Sequence, residues 1–338
     1  MLMLHGTGKS RDASRAGRAA AWPALLTLIA LVVAPGQASA TFLYAAAGSL
    51  NTVYSYDTTT NAVTPLFQTP NGPPDDLIAA GPGRILYLDQ GTTVPEGTPA
   101  PPTGQLRLHD FTTGTDTVIA GGFQRPADLV LDPSGQSVLL TESSGGKIDR
   151  VNLATGAVTI LNANAGGPNG LAYDGGLLFA NIGSRFAGPA GSSVARIDPL
   201  TGMVLATTTG LNSVDGLTYD SYSGRLFTAS ALSNTLYSIN PNNLNDVVSI
   251  LLPTAADGVV SDGAGNLYIG GRGTAGSNFY TYNLQTGSLT TGPFLAGATS
   301  IDLTIAAPVS VPEPASVTMT GLGLLAVIGY AARRRRAS

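Results

Sequence analysis

The stretch Ser300-Ile301-Asp302-Leu303-Thr304-Ile305-Ala306 decides the fold, because it reads as one strand too many. It alternates apolar and polar side chains, the pattern of a half-buried strand. Its central apolar residue, Leu303, is the sixth copy of an anchor that recurs at Leu77, Leu129, Leu171, Leu217 and Val259. The spacings are 52, 42, 46, 42 and 44 residues. Each of the first five anchors is followed by a second strand, as at Leu86-Tyr87 or Leu226-Phe227. A third strand then ends in a turn-forming acid or amide, and a short fourth lies around Val118, Val158, Val204, Val248 or Leu289. Nothing of the kind follows Leu303. Conversely, Leu43-Tyr44 reads as a second strand with no first strand before it, and it leads on to Asp57 and Val63. Four strands per unit of about 45 residues is the period of a propeller blade. The surplus strand at one end supplies the strand missing at the other. The expectation is an all-β chain, a six-bladed β-propeller of four-stranded blades, with Ile301–Ile305 zipped against Phe42–Ala46.

The propeller occupies residues 41–307, and the two ends read as addresses. Residues 1–40 have the form of a secretory signal peptide. Lys9, Arg11, Arg15 and Arg18 precede an apolar run from Ala19 to Ala34, and Ala38-Ser39-Ala40 offers a small-x-small cleavage site. Residues 308–338 contain Val311-Pro312-Glu313-Pro314, then sixteen uncharged residues from Val317 to Ala332, then Arg333 to Arg336. Sixteen residues make about 24 Å of helix, a short transmembrane segment, and the arginines would hold its end on the cytoplasmic side.

Composition removes whole classes of chemistry. With no Cys, disulfides, thiol nucleophiles, iron–sulfur clusters and Cys-ligated zinc are excluded. With His5 and His109 alone, His-based triads and metal sites have little to build on. The ends carry 8 of the 17 Lys and Arg, so the propeller keeps 9 basic against 19 acidic residues, a formal charge of −10. A basic footprint for nucleic acid is missing.

The C-terminal segment resembles the PEP-CTERM sorting signal of Gram-negative bacteria. That resemblance implies an exported protein of the cell envelope, an exosortase-type protease as processing partner and a link to exopolysaccharide matrices. Membrane contact would run through the C-terminal segment before processing. The body is similar to the NHL and gluconolactonase groups of propellers, on the residues Pro126-Ala127-Asp128-Leu129-Val130-Leu131-Asp132, Pro168-Asn169-Gly170-Leu171-Ala172-Tyr173-Asp174 and Asp215-Gly216-Leu217-Thr218-Tyr219-Asp220. Arg196-Ile197-Asp198-Pro199 and Tyr237-Ser238-Ile239-Asn240-Pro241 also resemble YVTN-type repeats. Such motifs report fold more than function.

Strand polarity sorts the loops. The turns after strands one and three are short, and Asp132, Asp174, Asp220 and Asp262 within them read as turn chemistry. The connections after strand two, such as 91–104, 183–192 and 271–278, are long, as binding loops on a rigid scaffold are. On that same face, the residues two before each anchor are Asp75, Ala127, Asn169, Asp215, Asp257 and Ile301. One before, they are Asp76, Asp128, Gly170, Gly216, Gly258 and Asp302. The second strands end there in Asp89, Glu142 and Asn181. The binding face is therefore expected to hold Asp75, Asp76, Asp89, Asp128, Glu142 and Asn181, with oxygen ligands gathered at one mouth of the channel. Carboxylates about 4 Å apart repel by roughly 4 kcal/mol at an effective dielectric of 20. Ca²⁺ or another hard divalent cation would suit such a site, and Asn169, Asp215, Asp257 and Asp302 are the candidate metal ligands. The resemblance to gluconolactonases implies a metal held by a Glu, the Asn of Asn-Gly-Leu and the Asp of the next Asp-Gly. Asn169 and Asp215 match the last two, whereas Ile301-Asp302 stands where the Glu is expected. Alternatively, these side chains simply cap strand starts. His109 is expected to pack within blade two with one nitrogen satisfied, and Met203 to pack within its blade; no catalytic residue is assigned. Two readings remain: a monomeric binding or structural module with a glycan or matrix partner, or a divalent-metal lactone hydrolase.

Overall fold

The structure is a computed structural model that describes residues 41–306 apart from 96–97, 175, 184–190 and 209. The expected leader 1–40 and sorting segment 308–338 lie outside the described residues, as does most of the 183–192 connection. Among the described residues no helix is long and apolar enough to cross a membrane.

Six four-stranded antiparallel sheets form the ring. Blade one is β1 (Phe42–Ala47), β2 (Thr52–Asp57) and β3 (Ala62–Gln68), completed on its inner side by the last strand of the chain. Blade two is β4 (Pro74–Ala79), β5 (Arg84–Asp89), β6 (Gly104–Asp110) and β7 (Thr115–Phe123). Blade three is β8 (Pro126–Leu131), β9 (Ser137–Glu142), β10 (Lys147–Asn152) and β11 (Val158–Asn162). Blade four is β12 (Leu171–Asp174), β13 (Leu177–Ile182), β14 (Ser193–Ile197) and β15 (Val204–Thr207). Blade five is β16 (Val214–Asp220), β17 (Arg225–Ser230), β18 (Thr235–Asn240) and β19 (Asn243–Leu251). Blade six is β20 (Ala256–Ser261), β21 (Asn266–Gly271), β22 (Gly276–Asn283) and β23 (Ser288–Ala296). The closing strand β24 (Ile301–Ile305) pairs with β1 from Ala47↔Ile301 to Leu43↔Ile305. The sixfold, strand-completed ring expected from the repeat is thus the observed fold.

A local code repeats at the hairpin between the third and fourth strands. Asp57, Asp110, Asn152, Asp198 and Asn283 each accept backbone N–H groups from two and three residues on, at 2.8–3.3 Å. The residue four on has positive φ: Asn61, Gly114, Gly156, Gly202 and Gly287, at 59–72°. Only Gly, or an Asn that tolerates the left-handed region, fits there without strain.

The apolar side chains collect in six clusters, one at each blade–blade interface. At the closing interface Ile301 and Leu303 of β24 pack with Leu43 and Tyr56 of blade one and with Tyr268 and Phe279 of blade six. Two packing expectations are corrected. Met203 is 59 % exposed rather than packed in its blade, because it lies in the turn before β15, on the outer rim. His109 meets Phe111 edge-on at 4.9 Å and Asp116 Oδ2 at 3.5 Å inside blade two, but its ring also stacks on Phe67 of blade one at 3.8 Å and 4°, and its Nδ1 makes no hydrogen bond. Leu303→Ala should remove about 2–5 kcal/mol of unfolding free energy, the range for buried Leu truncations, read from urea unfolding; a loss under about 0.5 kcal/mol would mean the closing strand carries no load.

Candidate functional site

The first strands line the central channel, and most start irregularly. In blades two, three, five and six the pairing with the second strand slips between Pro74 and Leu77, Pro126 and Leu129, Val214 and Leu217, and Ala256 and Val259. Each bulge frees the two residues before the anchor from the ladder and re-aims their side chains. Blade one lacks it, since Asp302 pairs regularly with Ala46.

These bulges separate the expected site residues into two tiers. The inner tier is Asp76, Asp128 and Asp302, on three consecutive blades, facing a channel cavity of about 230 Å³ that all six first strands line. Gly216 and Gly258 stand on other blades of the same ring. A Cβ on Gly258 would lie 2.7 Å from the Asp302 Cα, so glycine is what lets the blades approach here. Asp76 accepts the Leu129 N–H at 2.9 Å. Burial pushes the Asp76 carboxyl up to about 7 against the pull of backbone N–H groups. Asp128 is raised well above the usual range, by burial and then by Asp76, and Asp302 by burial and then by Asp257 and Asp75. Both causes favour the neutral forms of these carboxyls, which lessens the tier's repulsion.

The outer tier is Asp75, Asn169, Asp215 and Asp257, all buried. Asp75 accepts from Gln90 Nε2 at 2.6 Å. Arg272, just after β21, reaches Asp257 Oδ1 at 2.6 Å and Asp215 Oδ2 at 3.8 Å. The countercharge at this mouth is thus built into the chain. Sequence reasoning missed it, although two carboxylates in adjacent blades called for a cation. Gly270 and Gly271 precede Arg272 where the other second strands carry side chains, and a Cβ on Gly270 would run into the Ile301 carbonyl. Asn169 Oδ1 and Asn181 Oδ1 are buried and accept no hydrogen bond. The Asn181 amide instead donates to the Asp215 carbonyl and to Thr228 Oγ1.

The remaining expected residues brace loops. Asp89 accepts N–H groups from Asn71 at 3.1 Å and Gly91 at 2.9 Å. Glu142 accepts the Gln124 N–H at 2.6 Å and Lys147 Nζ at 2.8 Å. Beside it lies Asp149, 1 % exposed, whose carboxylate oxygens accept no hydrogen bond. Strand alternation puts Lys147 and Asp149 on one side of β10, with Lys147 paired across to Glu142. Burial, then Glu142, pushes Asp149 up to about 7. Burial also raises Glu142, but neighbouring Asp149 and the hydrogen bonds from Lys147 and Gln124 outweigh it and hold Glu142 low. Lys147 Nζ also stands 3.8 Å from Asp149 Oδ2, so one cation faces both carboxylates.

An acid raised on folding binds its proton more tightly in the native state, so stability falls as pH climbs from about 4 to about 7. The unfolding free energy is expected to be greater at pH 5 than at pH 8, with Asp149→Asn flattening that slope. Denaturant titrations at both values check this, and an unchanged slope in the variant would refute the raised Asp149 carboxyl.

Residues 310–336 match the PEP-CTERM protein-sorting motif. No curated protein matches the chain in sequence. Among solved structures, a chain of the nidogen–laminin complex aligns at TM-score 0.63 and 17 % identity, over 79 % of this chain and 98 % of that one. TolB from Acinetobacter baumannii aligns at 0.60 and 17 %, over 80 % and 68 %. Streptogramin B lyase aligns at 0.50 and 14 %, over 69 % and 72 %. At such identities the likeness shows the fold alone. The sorting motif implies an exported protein of the cell envelope that an exosortase processes.

Proposed function

We propose that the chain is a monomeric binding module of a Gram-negative envelope, with the long-loop face of its propeller as the contact surface and extracellular polysaccharide or matrix protein as partner. Its leader would direct export, and its C-terminal segment would anchor it in the membrane until processing. The observation that supports this most is Arg272. A cation already stands against Asp215 and Asp257, so these two carboxylates have a countercharge without a bound ion and the mouth is available as a rigid polar surface.

A metal-dependent lactone hydrolase is the second reading, favoured by the orphaned Asn169 and Asn181 oxygens, which are ligands of the kind a hard cation takes. The other donors do not fit. Asp215 and Asp257 face Arg272, Ile301 stands where the gluconolactonase pattern has a Glu, and Asp302 belongs to the inner tier. Among the described residues no three His, Asp or Glu side chains converge as metal ligands do.

Two measurements on the purified protein separate the readings. Envelope extract should retain it at micromolar concentration, and replacing residues 92–102 by a Gly-Ser linker should abolish retention; no retention of the native protein would sink the binding reading. Excess Ca²⁺, Mn²⁺ or Zn²⁺ should leave Tm unchanged. A rise of several degrees that Asn169→Ala removes would favour the metal reading instead.

A further inference from the structure

We propose that a cleft between blades one and two, on the long-loop face, binds an uncharged polysaccharide chain. This rests on the reading of that face as the contact surface and assigns it a ligand class. The cleft has a volume of about 550 Å³, within the range of ligand sites. Its walls carry Ser49 and Asn51 from the β1–β2 turn, Asn71 ahead of β4, and Thr92 and Thr93 after β5. All five are exposed.

Among the described lining residues there is no carboxylate, ammonium or guanidinium, and Pro73 is the one apolar side chain. An ionic ligand would leave water there without a countercharge, and an apolar ligand would find almost no apolar wall. A neutral polyol matches, because hydroxyl and amide side chains both donate and accept, as sugar hydroxyls do. The formal charge of −10 on the propeller and the buried Asp75 and Asp89 behind the cleft act against an anionic polysaccharide.

The floor is preformed. Gly72 and Gly91 bring two bare backbones together: a Cβ on Gly72 would strike the Gly91 carbonyl, and Gly91 has φ +70°. Asp89 holds both strands of this floor through the Asn71 and Gly91 N–H groups. Asn71 Nδ2 donates to the Thr103 carbonyl at 3.0 Å, and the Thr92 N–H donates to Thr103 Oγ1 at 2.8 Å. Little ordering is left for a ligand to impose, which favours affinity. The cleft ends where Thr92 and Thr93 border a recess of about 30 Å³, whose other walls are Gln90, Val94, Ala100 and Arg125 and so turn apolar and cationic. The neutral lining itself spans the loops of blades one and two, which suits a chain better than a single sugar.

The test titrates the purified protein calorimetrically with dextran, cellohexaose and chitohexaose as neutral probes and alginate as the acidic one. At least one neutral probe should bind and alginate should not. Thr93→Trp, which fills the cleft, and Asn51→Gly, which keeps the positive φ and removes the amide, should each weaken binding roughly tenfold at unchanged Tm. Blank titrations with all three neutral probes, or affinity indifferent to both variants, would overturn the proposal. If envelope extract still retains the protein while the neutral probes stay blank, the ligand class falls and the contact surface stands; if retention is lost too, both fall.

Discussion

The ladder between β24 and β1 is the constraint on which the rest depends. Five blades are local, each made from one contiguous run of chain, whereas blade one needs strands some 250 residues apart in sequence. Until they meet, β1 has an unpaired inner edge and blade six has no neighbour on one side. Both are exposed edges or faces of the kind that invite aggregation. Meeting buries Ile301 and Leu303 against two blades at once. Loop-closure entropy rises only slowly with chain length, so one strand and one apolar cluster can offset it. Closure also fixes the channel, because Asp302 reaches the inner tier only through this strand.

The mouth follows from that geometry. Bulges turn consecutive residues out of four first strands, and sixfold symmetry would gather acids around one axis. The chain relieves this in two ways. In the inner tier burial and neighbouring carboxylates push the carboxyls up and so favour their neutral forms. The outer tier borrows the guanidinium of Arg272 from blade six. Both devices reduce the charge at the mouth, and the exposed amides and hydroxyls of the loops are the groups that face a partner.

Much of this was legible in the sequence. A repeat of apolar anchors with turn residues at fixed offsets carries the blade count, because each blade solves the same packing problem against its neighbours. The completing strand was legible for the same reason. The partners of the acids were not. Arg272 lies in a Gly-rich stretch that resembles any loop, and its reach to Asp215 and Asp257 depends on blade curvature, not on spacing along the chain. The cross-blade stack of His109 was missed because strand alternation tells which side of a sheet a residue faces; it does not tell which residue of the next blade, here Phe67, lies opposite. The Glu142–Asp149 pair needed only alternation and register, so that signal was present and went unread.

The most direct measurement of closure uses the absence of native cysteine. Ala47 and Ile301 stand opposite each other across the closing ladder, and the Gly48–Ser300 backbone bond beside them makes theirs a close, non-hydrogen-bonded pair. The double variant Ala47→Cys/Ile301→Cys should oxidise within one chain, and the oxidised form should be more stable than the same variant reduced by about 2–5 kcal/mol, because the disulfide constrains the unfolded state. Failure to cross-link in the native protein, or cross-linking only between chains, would contradict a ring closed by its last strand.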